Sequence, residues 1–306
     1  MEVVVALDVG GTTIKGALIT AAGEVVTERK VPTHRAEGPD RVVGRILETV
    51  TSLADAASPT ARAIGLAVPG AVDEDAGVAL GSANLGWRDV PLRALVEERS
   101  DLPVRIAHDI RSGGIAEDRA GAGRTYDSSL FVPIGTGIGG ALVLHGEVLR
   151  GANHRAAELG HLPVPAGHDI CGCGRRGCLE TVASAAAIAR SYAARSGRAR
   201  VSAAEVAERV RDGDTDAVCV WTTAVDALAT VLTIATTLFD PAAIIIGGGL
   251  SNAGTTLLAP LADGVRQRLT FERMPALIPA ELGDAAGCLG AAMLAWDLLG
   301  EDRSTR

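Results

Sequence analysis

A strand, a glycine turn and a second strand occur twice in this chain, and few folds accommodate such a repeat. EVVVALDVGGTTIKGALITAAGEVV, residues 2–26, reads as a strand, a Gly-rich turn, a strand and a tight turn at Ala22-Gly23 into a third strand. SSLFVPIGTGIGGALVLHGEVL, residues 128–149, repeats the plan with its own Gly/Thr turn. Gly-Ala-Leu stands at 16–18 and again at 140–142, and Gly-Glu-Val at 23–25 and at 146–148. Two such units about 125 residues apart imply two domains built alike, and 306 residues leave room for both.

Each copy leads into βα material. Val42, Val43, Ile46, Leu47, Val50 and Leu53 recur at helical spacing, then ARAIGLAVPG and PVRIAHD read as strands. After the second copy, helices are expected around 182–195 and 202–211, with a long one ending before Asp240-Pro241. The strand AAIIIGGG and a last helix from about 284 complete the set. No low-complexity linker separates the halves, which suggests a shared hinge with ligand between them.

With 29 Lys and Arg against 37 Asp and Glu, the net charge of −8 argues against nucleic acid as the partner. The N-terminus lacks a basic run and places Asp8 where a signal peptide would be apolar, so a reducing, cytoplasmic setting is expected. Residues 217–239 are long enough to cross a membrane but carry Asp226 and many Thr; they read as a buried helix.

Gly10 and Gly11 in DVGGTTIK lack Cβ atoms, so backbone N–H groups there could approach a phosphate. Alone, the motif fits a plain hairpin better than a phosphate loop, being neither a Walker A loop nor GxGxxG. Its repetition as GTGIGG, 135–140, favours two turns gripping a polyphosphate. IIIGGGLS, 244–251, is a buried-type strand ending in glycines, suited to a nucleotide or simply to a tight loop. Asp109, at the end of PVRIA, reads as either a cleft carboxylate or a helix N-cap.

CGCGRRGCLE, 171–180, holds three of five cysteines. Its spacing is not that of a thioredoxin-type pair, and a disulfide framework does not suit a reducing compartment. Three thiolates on a glycine loop suit tetrahedral zinc, and ELGH supplies a fourth ligand ten residues upstream. The expected set is His161, Cys171, Cys173 and Cys178. The alternative is exposed thiols beside Arg175 and Arg176, which would oxidise readily. A closed four-ligand site is structural, and it would fix Glu158 and Glu180 to accept hydrogen bonds from a polyol; otherwise these are ordinary surface carboxylates.

Together, DVGGTTIK, NLGW at 84–87, the Asp109 strand end, GTGIGG, ELGH, CGCGRRGCLE, GGGLS and GDAAGCLGAA at 283–292 resemble the ROK family of sugar kinases and repressors. The resemblance implies an α/β, two-domain actin-like ATPase (RNase H-like) fold with a ligand cleft between the domains. The smaller domain would be 1–110 plus 291–306 and the larger 111–290, with the zinc loop at 161–178. It implies a kinase acting on the 6-hydroxyl of a hexose, with ATP, Mg2+ and structural Zn2+. Asp109 would be the general base, and Asn84, His108, Glu158, His161 and Glu180 would surround the sugar. Asp8 would lie near the magnesium. Gly10, Gly11, Thr12, Thr13, Lys15, Gly135, Thr136 and Gly137 would bind phosphates, and Gly248 and Gly249 would line the adenosine pocket. A homodimer in the cytoplasm, without nucleic-acid or membrane partners, is the implied state.

Three positions depart from the family pattern. His108 stands where family glucokinases usually have Asn, and His154 and Ala157 stand where such loops tend to carry glycine. These departures bear on the sugar: glucose is expected, with 3-amino-3-deoxyglucose (kanosamine) or N-acetylmannosamine as the alternative. A sugar-responsive regulator without catalysis is the remote reading; family repressors carry a helix-turn-helix before the first strand, which here begins at residue 3.

Overall fold

In β1 (Val3–Val9), Val3, Val5, Leu7 and Val9 face one apolar cluster while Val4 and Ala6 face another. Burial on both faces explains why this strand is a continuous apolar run broken only by Asp8. The computed structural model describes residues 1–58 and 60–304.

The chain forms two compact units, Met1–Ala116 with Arg150–Arg155 and Asp284–Arg306, and Glu117–Leu149 with Ala156–Gly283. The sequence suggests boundaries after 110 and before 291; the structure divides after Ala116 and before Asp284, and gives six further residues of the middle of the chain to the first unit.

In the first unit, β1 is followed by β2 (Thr13–Ile19), β3 (Val25–Pro32), α1 (Pro39–Ala56) and β4 (Ala61–Val68). Three short strands come next: β5 (Ala71–Asp73), β6 (Val78–Gly81) and β7 (Arg88–Val90). They form their own antiparallel sheet. Then come α2 (Leu92–Ser100), β8 (Val104–His108) and α3 (Asp109–Ala120), whose last turn belongs to the second unit. The main sheet has the order β3-β2-β1-β4-β8, antiparallel through β1 and parallel from β1 to β8.

The second unit holds β9 (Ser128–Pro133), β10 (Ala141–Leu144), β11 (Glu147–Val148), α4 (Glu180–Ala183), α5 (Ala185–Ser196), α6 (Ala203–Arg211), α7 (Thr215–Phe239), β12 (Ala243–Gly247), α8 (Thr255–Arg268) and β13 (Ala276–Pro279). Its sheet, β11-β10-β9-β12-β13, has the same mix of antiparallel and parallel neighbours as the first. The repeat in the sequence is thus a repeat of sheet topology. Helix α7 has the length and composition of a membrane span, yet half of its most apolar window is buried. Trp221, Leu228, Val231 and Leu232 sit in the core of this unit.

α9 (Ala286–Ser304) returns to the first unit and covers the face of its sheet opposite α1. The approach is close because small residues line it. A Cβ added at Gly65 would lie 1.9 Å from the Ala291 carbonyl oxygen, and one at Gly290 would lie 1.8 Å from that of Ser112. Neither position has room for a side chain.

Candidate active site and metal cluster

At the end of β8 the chain passes directly into α3, so His108 closes the strand and Asp109 opens the helix. Asp109 Oδ1 accepts the backbone N–H of Ile110 at 2.7 Å, and His108 Nε2 lies 3.3 Å from the same oxygen. Burial raises the pKa of the Asp109 carboxyl to about 6, against a lowering by the Ile110 N–H and by Arg111. Asp8 is also raised to about 6, by burial first and then by the charges of Asp109 and Asp284, opposed by Lys15. Two strand-end carboxyls of one unit therefore resist ionising, and each is poised to take a proton near neutrality.

Around Asp8 the first glycine turn is tightly folded. Gly10 N donates to the Thr13 carbonyl at 2.9 Å, while the Thr33 hydroxyl donates to the Gly10 carbonyl at 2.7 Å. Gly11 and Thr12 complete this turn. Lys15 Nζ donates to the Asp284 carbonyl at 2.9 Å, and a Cβ at Gly287 would lie 2.7 Å from the Asp8 carboxyl carbon. The structure thus joins DVGGTTIK to GDAAGCLGAA. Asn84 sits in an exposed turn in which Gly86 N donates to the Ser82 carbonyl at 2.8 Å.

In the second unit, the glycine turns meet each other. Gly135 N donates to the Gly137 carbonyl at 2.9 Å, with Thr136 exposed between them. A Cβ at Gly137 would lie 3.0 Å from Glu180 Oε2, and one at Gly248, whose φ is +74°, would lie 2.5 Å from the Ile134 carbonyl oxygen. Gly248 and Gly249 therefore lead from β12 to the base of the 135–137 turn.

His161, Cys171, Cys173 and Cys178 place their ligand atoms within 4.8 Å of one another. His161 Nδ1 lies 3.5 Å from Cys171 Sγ, and Cys173 Sγ 3.6 Å from Cys178 Sγ. A tetrahedral zinc with Zn–S near 2.3 Å needs ligands about 3.8 Å apart, so the cluster fits the ion with little movement. Positive φ at Gly174 and Gly177 bends the loop back on itself. Glu180 Oε1 lies 3.6 Å from His161 Nδ1 and 2.8 Å from Cys171 Sγ, which draws it into the cluster. Glu158 precedes the short turn Leu159–His161 and accepts the His161 N–H on its carbonyl at 3.1 Å.

Two of the three departures from the family pattern have a backbone counterpart: His154 has φ 53° and Ala157 φ 60°, both in the left-handed region that glycine favours. The residues that sequence patterns miss are Glu74 and Arg111. Both are buried, and Glu74 Oε1 accepts Arg111 Nε at 2.7 Å and the His108 backbone N–H at 3.1 Å. The Arg in HDIR is visible as a letter; its partner, 37 residues earlier, is not.

A sequence model of the ROK family matches residues 4–297. The chain belongs to the ROK family. Within that family it is 35% identical to a glucokinase of Halalkalibacterium halodurans, over 95% of this chain and 94% of the relative. A ROK hexokinase from Thermus thermophilus superposes with a TM-score of 0.86 at 34% identity, covering 98% of this chain and 99% of that one. A ROK glucokinase from Streptomyces griseus, solved with glucose and AMPPNP, gives a TM-score of 0.83 at 30% identity, covering 96% and 99%. The α/β architecture is accordingly the actin-like ATPase fold of ROK kinases.

Proposed function

We propose that this ROK protein is an ATP-dependent kinase that phosphorylates the 6-hydroxyl of a hexose, with glucose as the preferred substrate. The observation that carries the reading is Asp109: a partly buried carboxyl, raised to about 6, at a strand-to-helix junction with one oxygen already engaged. A general base works best when its pKa lies near the working pH. The similarity to the glucokinase solved with glucose and AMPPNP supports the choice of substrates.

In this reading Asp109 takes the proton of the 6-hydroxyl as that oxygen attacks the γ-phosphorus of ATP, and ADP leaves with the electrons of the broken P–O bond. Asn84, His108, Glu158, His161 and Glu180 hold the other hydroxyls. The turns with Gly10, Gly11, Thr12, Thr13 and Lys15, and with Gly135, Thr136 and Gly137, bind phosphate oxygens through N–H, hydroxyl and ammonium donors; Gly248 and Gly249 line the adenosine. Asp8 would hold magnesium nearby, and the ion would supply charge neutralisation on the phosphates. Zinc held by His161, Cys171, Cys173 and Cys178 would supply rigidity, leaving the second ring nitrogen of His161 and the Glu180 carboxylate for the sugar. The proposed setting is the cytoplasm, with a homodimer as the working form and no nucleic-acid or membrane partner.

A second reading, an amino sugar such as 3-amino-3-deoxyglucose or N-acetylmannosamine, draws on the buried His108 ring beside Asp109. Imidazole offers one donor and one acceptor on opposite edges, so it satisfies a different pattern from an Asn amide. A coupled ADP-release assay with glucose, mannose, N-acetylmannosamine, N-acetylglucosamine and 3-amino-3-deoxyglucose tests both, in wild type and His108→Asn. The highest kcat/KM is expected for glucose. No turnover on any hexose removes the kinase reading; a higher kcat/KM for an amino sugar that His108→Asn abolishes replaces glucose with it.

A further inference from the structure

The last residue of β5 and the turn that follows it carry three consecutive acids, and they divide by direction. Asp73 and Asp75 face the His154 ring, with Nε2 3.5 Å from Asp73 Oδ1 and 3.8 Å from Asp75 Oδ2. Asp75 Oδ1 also pairs with Arg150 at 2.8 Å. Glu74 turns the other way, into the protein, where it is 6% exposed. There its Oε1 accepts both the His108 backbone N–H and Arg111 Nε, and Arg111 Nη2 lies 2.7 Å away without a directed hydrogen bond. Arg111, 2% exposed, directs its remaining nitrogen, Nη1, to the His154 carbonyl at 3.0 Å.

An ion pair this deeply buried is a poor way to gain stability. Desolvating a carboxylate and a guanidinium is costly, and apolar replacements of similar volume often match or exceed the pair. What it gives instead is geometry. A guanidinium is a rigid fork, and here one tine holds Glu74 while another holds the backbone at His154. Glu74 in turn grips the peptide N–H of His108, one residue before Asp109. That N–H lies where β8 is ending and α3 is about to begin.

We propose that Glu74 and Arg111 are a positioning pair that fixes the Ala107–His108 peptide and the His154 carbonyl together, so that the Asp109 carboxylate and the His108 ring keep a single orientation toward the sugar. The proposal rests on the reading of Asp109 as the general base. Neither Glu74 nor Arg111 touches substrate in it; both act through Asp109.

The test is a double-mutant cycle on kcat. Glu74→Gln/Arg111→Met removes both charges together and so strands neither. It is expected to lower kcat for glucose about 10- to 100-fold, the scale of an ångström of misplacement, with KM for ATP within about twofold of wild type. In the Asp109→Asn background the same pair of changes is expected to cost less than about threefold, because the group it aims is gone. An equal loss in both backgrounds, or no loss in wild type, overturns the proposal. If instead Asp109→Asn alone turns over at a near-normal rate, the general-base reading fails, which is a distinct result. Should the double variant not fold, Arg111→Lys carries the same cycle: it keeps the pair's charges and removes the fork, and it is expected to lose kcat in wild type but not in Asp109→Asn.

Discussion

Asp109 is held in a state its own chemistry resists, and that has a thermodynamic signature. Its carboxyl is raised from the ordinary 3.8 to about 6 in the folded protein, so between those values the folded state binds more protons than the unfolded one. Stability from the protonated form is therefore fully present below about pH 4 and is lost as pH rises through 6. The full shift corresponds to about 3 kcal/mol; the side chain is still 30% exposed, which reduces the expected effect to about 1–2 kcal/mol. Asp109→Asn keeps an acceptor for the Ile110 N–H without the charge. Urea melts should find the variant more stable than wild type by that amount at pH 8 and equal to it at pH 4. A difference independent of pH would mean that the carboxyl ionises normally. If Asp109 is the proposed general base, turnover should move the opposite way in the variant, falling by about 10² to 10⁴.

Among the helices and strands, the packing of α9 on the first unit depends on positions without a Cβ. Gly290→Ala would drive a methyl group into the Ser112 carbonyl, and relief requires moving α9 away from α3. A loss of about 3 kcal/mol is expected, or roughly 10 °C in the melting temperature of a unit of this size; an unchanged melting curve would show that the helices can separate freely. Elements also differ in how plainly the sequence announces them. The hairpins β1–β2 and β9–β10 are legible because Gly-Ala-Leu and the glycine turns repeat, and α1 because Val42, Ile46, Val50 and Leu53 keep helical period. The sheet β5-β6-β7 is not: its outer strands have three residues each, too few to show alternation. The Cys/His cluster is legible since its ligands lie within one short segment. Glu74 and Arg111 are not, because only the fold brings a turn acid to a helix arginine.

For the protein entire, the proposed zinc on His161, Cys171, Cys173 and Cys178 is the feature whose removal tests most. Ligation free energy is folding free energy when the site is absent from the unfolded chain. Dialysis against a chelator should lower the melting temperature by roughly 10 °C and weaken sugar binding with it, and Cys173→Ser should do the same without chelator. Elemental analysis of the purified protein should find one zinc per chain; none, with activity intact, would leave the four ligands as thiols and an imidazole that merely lie close.

The first unit is assembled from both ends of the chain, and this shapes how it is made. One face of its sheet, with Val4, Ala6, Ala17, Ile19, Ala63 and Ala67, is covered by Cys288, Ala291, Ala292 and Ala295. At a synthesis rate of about 5–20 residues per second, those apolar strands leave the ribosome roughly tens of seconds before the helix that shelters them. Through that interval the nascent N-terminal half presents a greasy, unfinished face, and it is there, before any sugar or nucleotide is met, that a cell's chaperones have most reason to hold this chain.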